Sequence, residues 1–251
     1  MPEATPRHAA EPSSTARPLD VDAVLFDLDG TLVDTAPDLA GALNCLRRNR
    51  GLDALSLDSL RPYASAGARG LIGAGLQVEP AHADYPELRD AFLAHYAAGI
   101  CVESELFDEM EDVLAELEAR GLPWGIVTNK AARFTQPLMD ALALHHRPGV
   151  VVSGDTTPYP KPHPASLLLA AEMLGVPPAR CMYVGDAERD IIAGVAAGMQ
   201  TIVARYGYIQ PHEAPHDWPA VGHIHRPRDL IGWLPLPKQH RDTVTMDKRS
   251  R

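Results

Sequence analysis

Long apolar runs are missing from this chain of 251 residues. A membrane-spanning helix needs roughly 18 to 20 consecutive apolar residues, and no stretch of the sequence approaches that length. The first 17 residues, MPEATPRHAAEPSSTAR, also lack the apolar centre of a secretory signal. We therefore expect residues 1–17 to form a disordered leader, and the protein to be cytoplasmic with no membrane partner.

Cysteine and basic side chains are also scarce. The three cysteines, Cys45, Cys101 and Cys181, lie far apart and show no metal-binding spacing. We expect them to be reduced, mostly buried thiols rather than part of a disulfide framework. Lysine and arginine together number 23 against 33 acidic residues, which gives a net charge of −10. That balance argues against nucleic acid as the main partner, because phosphate backbones require a basic face.

What the sequence does contain is a regular alternation of strand and helix patterns. The short apolar run VDAVLFDL predicts a buried strand, and helix-spaced apolar residues follow it from Ala36 to Arg50. After Phe107, amphipathic helices alternate with four more apolar strand patterns. This order predicts an α/β fold: a Rossmann-like, doubly wound parallel sheet with helices on both faces.

The strand pattern at the start is separated from the others by a long helical block. We therefore predict a core domain made of residues 18–35 and 106–235, with residues 36–105 inserted as a helical cap domain. The polar, basic end of the chain, PKQHRDTVTMDKRSR, predicts a flexible tail over 236–251.

Small and polar side chains follow the predicted strands at the point where each one ends. They are Asp27 and Asp29, then Thr128 and Asn129, then Asp155, and finally Asp186. Ligands of open parallel sheets bind outside the carboxyl ends of the strands, so these side chains mark the expected site. Lys161 lies in the loop PYPKPHP, where the flanking prolines indicate a stiff and positioned segment.

The two close carboxylates, Asp27 and Asp29, would repel each other unless a cation lies between them and a third acid. Asp186 can supply that third ligand, and a set of hard oxygen ligands favours Mg²⁺. Metal coordination would keep Asp27 ionised and able to attack phosphorus. Asp29 could protonate the leaving oxygen and later deprotonate a water. Phosphoryl oxygens could be neutralised by Lys161, by the Thr128 hydroxyl and by backbone N–H groups around Leu28 and Asn129.

Four stretches, DLDGTLVD, IVTNK, KPHP and YVGDAERD, resemble the four motifs of the haloacid dehalogenase superfamily in order and separation. The resemblance covers residues 20 to 235. It implies a nucleophile at Asp27, an acid/base at Asp29, and phosphate ligands at Thr128, Asn129 and Lys161. It also implies Mg²⁺ bound by the Asp27 side chain, the Asp29 main-chain carbonyl and Asp186. Asp190 is similar to the second acid of the fourth motif and is expected in the outer shell, where it orients Lys161 or water, with direct metal binding as the alternative.

The resemblance also narrows the reaction. Asp29 favours phosphoryl transfer over dehalogenation, and an enzyme over a non-catalytic sensor of phosphorylated ligands. Sugar phosphomutases share the four motifs, so a phosphatase is expected with a mutase as the alternative. The inserted segment is similar to the cap of the phosphoglycolate phosphatase group. The stretches RNRGL, SAGARGL with SELFDEM, and ARYGYIQPHEAPHDWPA resemble bacterial N-acetylmuramic acid 6-phosphate phosphatases of cell-wall recycling.

The expected substrate is therefore a small phosphate ester, N-acetylmuramic acid 6-phosphate, with 2-phosphoglycolate as the alternative. Both esters carry a carboxylate, and Arg69 in the cap is the candidate to bind it, because a guanidinium pairs well with a carboxylate. A solvated surface arginine is the competing interpretation of Arg69. The expected assembly is a monomer or a homodimer.

Overall fold

Six parallel strands form the central sheet of the computed structural model, which describes residues 17–237. In spatial order they are β5 (Val150–Val152), β4 (Trp124–Val127), β1 (Ala23–Phe26), β6 (Cys181–Gly185), β7 (Gln200–Ala204) and β8 (Gly222–Ile224). The first strand of the chain lies in the middle of the sheet, paired in parallel with β4 and β6. The predicted α/β fold with a parallel sheet is confirmed, and the carboxyl ends of its strands share one edge.

Helices cover both faces of this sheet, because alternate residues of each strand point to opposite sides. In β1, Val24 and Phe26 pack with α5 (Met110–Ala119) and α6 (Ala132–Ala141). Ala23 and Leu25 pack on the other face with α7 (Ala165–Leu174) and α8 (Glu188–Ala196). β1 is therefore apolar at every position, as expected for a strand buried on both faces.

Four further helices follow β1 and surround an apolar cluster of their own. They are α1 (Ala36–Arg48), α2 (Leu57–Leu60), α3 (Gly67–Leu76) and α4 (Tyr85–Ala98). Leu43, Leu71 and Phe92 are fully buried in this cluster. Gly75 permits close packing of α3 on α1, since a Cβ at this position would lie 2.4 Å from the Leu43 side chain. The helical character predicted for this segment is confirmed.

A pair of two-residue antiparallel strands lies where the chain enters and leaves the helical segment. They are β2 (Val33–Asp34) and β3 (Glu105–Leu106). The sequence did not predict them, because two residues are too few to show a strand pattern. It did not predict the edge strand β8 either, because its three residues, Gly-His-Ile, lack the apolar run that reveals the equally short β5. The division into a core of 18–35 and 106–235 and a cap of 36–105 stays a prediction.

Several other expectations concern single residues or the chain ends. The three thiols are free, as expected, but only Cys181 is buried, whereas Cys45 and Cys101 are half-buried. The leader and the tail predicted at the two ends fall almost wholly on 1–16 and 238–251, outside the described residues. Among residues 17–237 we find no helix with the length and apolar composition that a membrane span requires.

Candidate active site

The central position of β1 brings together the polar residues that follow three neighbouring strands. Asp27 comes directly after β1, Thr128 after β4 and Asp186 after β6. Asp155, which follows β5, has a different role. Its exposed side chain accepts a hydrogen bond from the backbone N–H of Ala132 at 2.9 Å and so caps the start of α6. The predicted site therefore lies over the central strands of the sheet, without Asp155.

Three buried carboxylates form the floor of this site. Asp27, Asp186 and Asp190 each offer one oxygen, and these three oxygens lie within 4.8 Å of one another. Burial, together with the charge of the neighbouring acids, raises the pKa of Asp27 to about 6 and that of Asp186 to about 8. Without a metal ion, Asp186 would therefore hold a proton at neutral pH.

The donor chemistry and the space around these acids fit a hard divalent cation. Asp186 is held in place by the Tyr208 backbone N–H at 2.8 Å and by the Thr31 hydroxyl at 3.3 Å. Gly30, at φ +89°, and Gly207 leave room for it. A Cβ on either glycine would lie 2.2 Å from an Asp186 side-chain atom. The carboxylate is thus positioned by donors and glycines, as a metal ligand has to be.

Lys161 reaches into the same cluster and is almost completely buried. Its Nζ lies 2.9 Å from Asp27 Oδ1 and 2.7 Å from Asp190 Oδ1. It also donates to the Val127 carbonyl at 2.9 Å and to the Tyr183 hydroxyl at 2.6 Å. Burial by itself would lower the pKa of Lys161, but the charges of Asp190 and Asp27 outweigh burial and raise it. Lys161 therefore stays a cation beside the predicted nucleophile.

The loop that carries Lys161 is fixed by Asn129. The Asn129 side chain accepts from the Lys161 backbone N–H at 2.9 Å and donates to its carbonyl at 3.0 Å. This use of the side chain leaves the backbone N–H as the group that Asn129 can offer a phosphate. The same holds for Leu28, whose side chain is fully buried in the apolar core. Thr128 Oγ1 accepts from the Lys130 backbone N–H at 3.1 Å.

Asp29 does not belong to the acid cluster, and its side chain is bound by two donors. Its Oδ1 accepts from the Thr35 hydroxyl at 2.6 Å and from Lys130 Nζ at 2.7 Å. Lys130 is itself buried, and its Nζ lies 4.6 Å from the centre of the Tyr96 ring. Burial lowers the pKa of Lys130, but the charge of Asp29 reverses this and the net shift is upward. The side chain of Asp29 is therefore paired with Lys130 and is not grouped with the three other acids, and its main-chain carbonyl stays the predicted metal ligand.

A cavity of about 360 Å³ adjoins Asp27 and Asp29 and extends between the sheet edge and the helices α3 and α4. Its polar lining includes Thr128, Asn129 and Arg69, and its apolar wall is formed by Phe92, Tyr96 and Phe134. Of the predicted site residues, Leu28, Lys161, Asp186 and Asp190 do not line this space, because they are buried behind it. Arg69 is exposed and lines the cavity, and its contact with a substrate stays a prediction.

A family model described as haloacid dehalogenase-like hydrolase matches residues 21–198, which include all four motifs and the acids, the lysine and the asparagine that form this site. The chain belongs to the haloacid dehalogenase-like hydrolase family. The resemblance stated from the four motifs is thereby confirmed.

Curated relatives in this family carry two different names at similar identity. The N-acetylmuramic acid 6-phosphate phosphatase of Pseudomonas putida is 39% identical over 208 residues, which cover 83% of this chain and 93% of the relative. The phosphoglycolate phosphatase of Xanthomonas campestris pv. campestris is 42% identical over 216 residues, covering 85% and 95%.

Among solved structures, a predicted phosphoglycolate phosphatase from Haemophilus somnus is similar with a TM-score of 0.74. It is 26% identical, and the match covers 85% of this chain and 97% of that one. The fold of this chain is therefore shared with other members of the haloacid dehalogenase-like hydrolase family over nearly the whole of the matched structure.

Two of the contacts between the helical segment and the core of this hydrolase involve arginines, and neither was predicted from the sequence. Arg189, in the fourth motif, donates to the Ser65 carbonyl at 2.7 Å and to its hydroxyl at 2.9 Å. Arg61 binds both oxygens of Asp34 at 2.7 and 2.8 Å. The position of Arg189 inside the motif YVGDAERD could have indicated that it belongs to the site. Nothing in the sequence indicates the contacts of Ser65, Arg61 and Asp34.

Lys130 pairs with Asp29 and lines the cavity, and it was not predicted from the sequence. It is the last letter of IVTNK, one position beyond the phosphate ligands predicted there. A lysine in a loop is usually solvated, and only the fold shows that this one is buried against Asp29. Its position inside the motif IVTNK could have indicated that Lys130 belongs to the site.

Proposed function

We propose that this chain is a Mg²⁺-dependent phosphatase that hydrolyses N-acetylmuramic acid 6-phosphate through a phosphorylated Asp27. The observation that carries the proposal is the buried cluster at the end of β1. There Asp27 lies within 4.8 Å of two further acids and 2.9 Å from Lys161, beside a ligand-sized cavity. Phosphoryl transfer needs a nucleophile, positive charge for the phosphoryl oxygens and a metal ion. Here a carboxylate can serve as the nucleophile, a lysine supplies positive charge, and the further acids can bind the metal.

Mg²⁺ would be held by the side chains of Asp27 and Asp186 and by the main-chain carbonyl of Asp29. When bound, the ion supplies positive charge that offsets the clustered carboxylates and the phosphoryl oxygens. Asp190 has another role in this proposal. Its Oδ1 binds Lys161 at 2.7 Å and its Oδ2 accepts from the Ala187 backbone N–H at 3.1 Å. These bonds support the predicted position of Asp190 in the outer shell, where it orients Lys161.

The residues of this chain account for both halves of the reaction. Asp27 forms a bond to phosphorus while the ester P–O bond breaks, and the leaving oxygen takes a proton from Asp29. Asp29 then removes a proton from water, which attacks phosphorus and releases inorganic phosphate from Asp27. The phosphoryl oxygens are held by Lys161, by the Thr128 hydroxyl and by the backbone N–H groups of Leu28 and Asn129.

Thr35 and Lys130 keep Asp29 in reach of the leaving group. Both bond to the same oxygen, Asp29 Oδ1, at 2.6 and 2.7 Å. The second carboxylate oxygen is therefore the one left to exchange a proton with the substrate. This arrangement favours an enzyme over the alternative of a non-catalytic sensor, which would have no use for a positioned acid/base.

The cavity supports the choice of the larger substrate. Its volume of about 360 Å³ lies within the range of about 300 to 1,000 Å³ found for ligand pockets. An amino-sugar phosphate would fill this space and place its apolar groups against Phe92, Tyr96 and Phe134. The two-carbon ester 2-phosphoglycolate would leave most of the space to water. It remains the second candidate because relatives of 42% identity bear the name phosphoglycolate phosphatase.

The inserted segment 36–105 acts in this proposal as a cap that covers the ester during the reaction. It supplies Arg69, Phe92 and Tyr96 to the cavity and meets the core through the bond from Arg189 to Ser65. The absence of a nucleic-acid or membrane partner, the cytoplasmic location and the monomer or homodimer stay predictions.

Substrate preference and metal dependence are tested together by measuring phosphate release with and without EDTA. We expect kcat/KM to be at least about tenfold higher for N-acetylmuramic acid 6-phosphate than for 2-phosphoglycolate. EDTA should abolish both activities, and added Mg²⁺ should restore them. A higher value for 2-phosphoglycolate would reverse the choice of substrate, and activity that survives EDTA would refute the metal-dependent mechanism.

Binding of Mg²⁺ to the free protein should raise its melting temperature. At a concentration of 100 times Kd the gain is about 2.7 kcal/mol, or roughly 5 to 10 °C for a chain of this size. Burial raises the pKa of Asp186 to about 8, so below that pH the ion must displace a proton. The shift should therefore grow as the pH rises from about 6 to about 8, near the raised pKa values of Asp27 and Asp186.

Differential scanning fluorimetry checks this expectation with two matched variants. Asp186→Asn should lose the Mg²⁺-dependent shift, whereas Asp155→Asn should keep it, because Asp155 follows a strand but caps α6 instead. An equal shift in both variants would place the ion elsewhere.

A further inference from the structure

The lining of the cavity contains more positive charge than the scissile phosphate requires. Four cationic side chains line it: Arg69, Lys130, Arg133 and Arg189. Lys130 is paired with Asp29, and the charges of Asp190, Asp27 and Asp186 surround Arg189. No carboxylate among residues 17–237 pairs with Arg69 or with Arg133. Two guanidinium groups thus face the same cavity without an anion of the protein beside them.

Arg133 is exposed, as Arg69 is, but its guanidinium group is stacked on an aromatic ring. It lies in the first turn of α6, and its guanidinium carbon stacks 4.7 Å from the centre of the Phe134 ring. Phe134 is buried and belongs to the apolar cluster shared with the cap helices. A guanidinium fixed on an aromatic ring loses little freedom when it binds a carboxylate, and its planar fork matches that group.

Arg133 lines both the cavity at Asp27 and a second recess beside it. A second recess of about 390 Å³ lies between α4 and α6. It is lined by Asp90, Leu93, Ala94, Ala97, Arg133 and Phe134, of which Leu93, Arg133 and Phe134 also line the cavity at Asp27. The only acid in the recess, Asp90, is paired with Arg89 at 2.8 Å. The recess therefore continues the cavity past Arg133 and presents apolar surface with one unpaired cation.

We propose that Arg133 is a specificity-determining residue that binds the carboxylate of the substrate's leaving group, with the rest of that group extending into the recess between α4 and α6. The inference rests on the proposed phosphatase function and deepens it. The preferred substrate is a phosphate ester of a carboxylate-bearing sugar, and the carboxylate is bound from the core side of the cavity. Arg69, on the cap side, supplies the second positive charge.

The experiment compares two sugar phosphate esters, of which only one carries a carboxylate. N-Acetylmuramic acid 6-phosphate carries a lactyl ether with a carboxylate, and N-acetylglucosamine 6-phosphate lacks it. For Arg133→Gln we expect kcat/KM to fall about 30-fold on the first ester, mainly through KM, because one charge-assisted pair is lost. The values for N-acetylglucosamine 6-phosphate and p-nitrophenyl phosphate should stay within about twofold, since neither carries a carboxylate.

Two further variants make the outcome specific. Arg133→Lys should recover part of the loss, because it restores the charge but not the planar fork. Arg228→Gln, which removes an exposed arginine paired with Asp112, should leave all three substrates unchanged. Equal losses by Arg133→Gln on all three esters, or no loss on any, would overturn the assignment of Arg133 and leave the phosphatase proposal standing. Failure of the unaltered protein to hydrolyse any of the three esters would overturn both.

Discussion

Replacing Asp27 with Asn is expected to reduce turnover by roughly 10⁴-fold or more, because an amide cannot serve as the nucleophile that accepts the phosphoryl group. The groups around Asp27 are already engaged with other partners. Lys161, which donates to Asp27 at 2.9 Å, also donates to the Val127 carbonyl. Asp186 and Asp190 accept from the Tyr208 and Ala187 backbone N–H groups. Steady-state phosphate release from the preferred ester and from p-nitrophenyl phosphate measures the loss.

The same variant should remain folded. Burial raises the pKa of Asp27 from 3.8 to about 6, so the folded protein binds this proton more tightly than the unfolded chain does. The metal-free native protein therefore loses stability as the pH rises from about 4 to about 6, and Asn avoids that loss. Above pH 6 the free energy of unfolding of Asp27→Asn should equal or exceed that of the native protein.

Denaturant unfolding checks this second expectation, with Asp155→Asn as a matched loss of one carboxylate at a strand end. Unchanged turnover in Asp27→Asn would disprove the assignment of the nucleophile. A variant that is inactive and also unfolds much more easily would show instead that Asp27 is needed for the fold.

Replacing Lys161 with Met is expected to have the largest effect on stability. The buried ammonium group lies between Asp27 and Asp190, and its removal leaves both carboxylates without their cation. Breaking a buried ion pair by removing one partner costs about 3 to 5 kcal/mol. Activity should be lost as well, since Lys161 is the proposed ligand of the phosphoryl oxygens. Urea unfolding at pH 7 to 8 without Mg²⁺ measures the loss of stability.

A double variant separates the two roles of Lys161. Lys161→Met combined with Asp190→Asn removes one cation and one anion, so most of the lost stability should return. Activity should not return, because the phosphoryl group still lacks its lysine. The proposal for Lys161 would be wrong if the double variant recovered turnover, or if the single variant were as stable as the native protein.

The central strands and the polar residues that follow them could be predicted from the local sequence pattern. β1, β4 and β6 were predicted from short apolar runs, and Asp27, Thr128 and Asp186 from the position directly after each run. These predictions hold because a strand buried on both faces must be apolar throughout, and this requirement is visible in the sequence. The helices around them are equally visible, since apolar residues recur along α1 and α5 at helical spacing.

The contact of Lys130 with Asp29 and the pairing of β2 with β3 could not be predicted from the local sequence pattern. Nothing near Lys130 indicates that its ammonium group lies 2.7 Å from Asp29, because that distance depends on how the loop after β4 packs against the loop after β1. The two-residue strands β2 and β3 exist only because segments about 70 positions apart meet in the fold. Asn129 was predicted as a phosphate ligand. The bonds of its side chain to the Lys161 loop were not predicted.

The sequence by itself determined the sheet of apolar strands, the acids that follow them and the membership of a family whose motifs it displays, since all of these are fixed by residue type and spacing. Only the tertiary structure decided which charges are paired. Lys161 lies between two acids and Lys130 beside a third, whereas Arg133 stacks on Phe134 and faces the cavity without an anion. Pairing depends on distances of a few ångströms between distant parts of the chain, and such distances are set by packing rather than by local pattern.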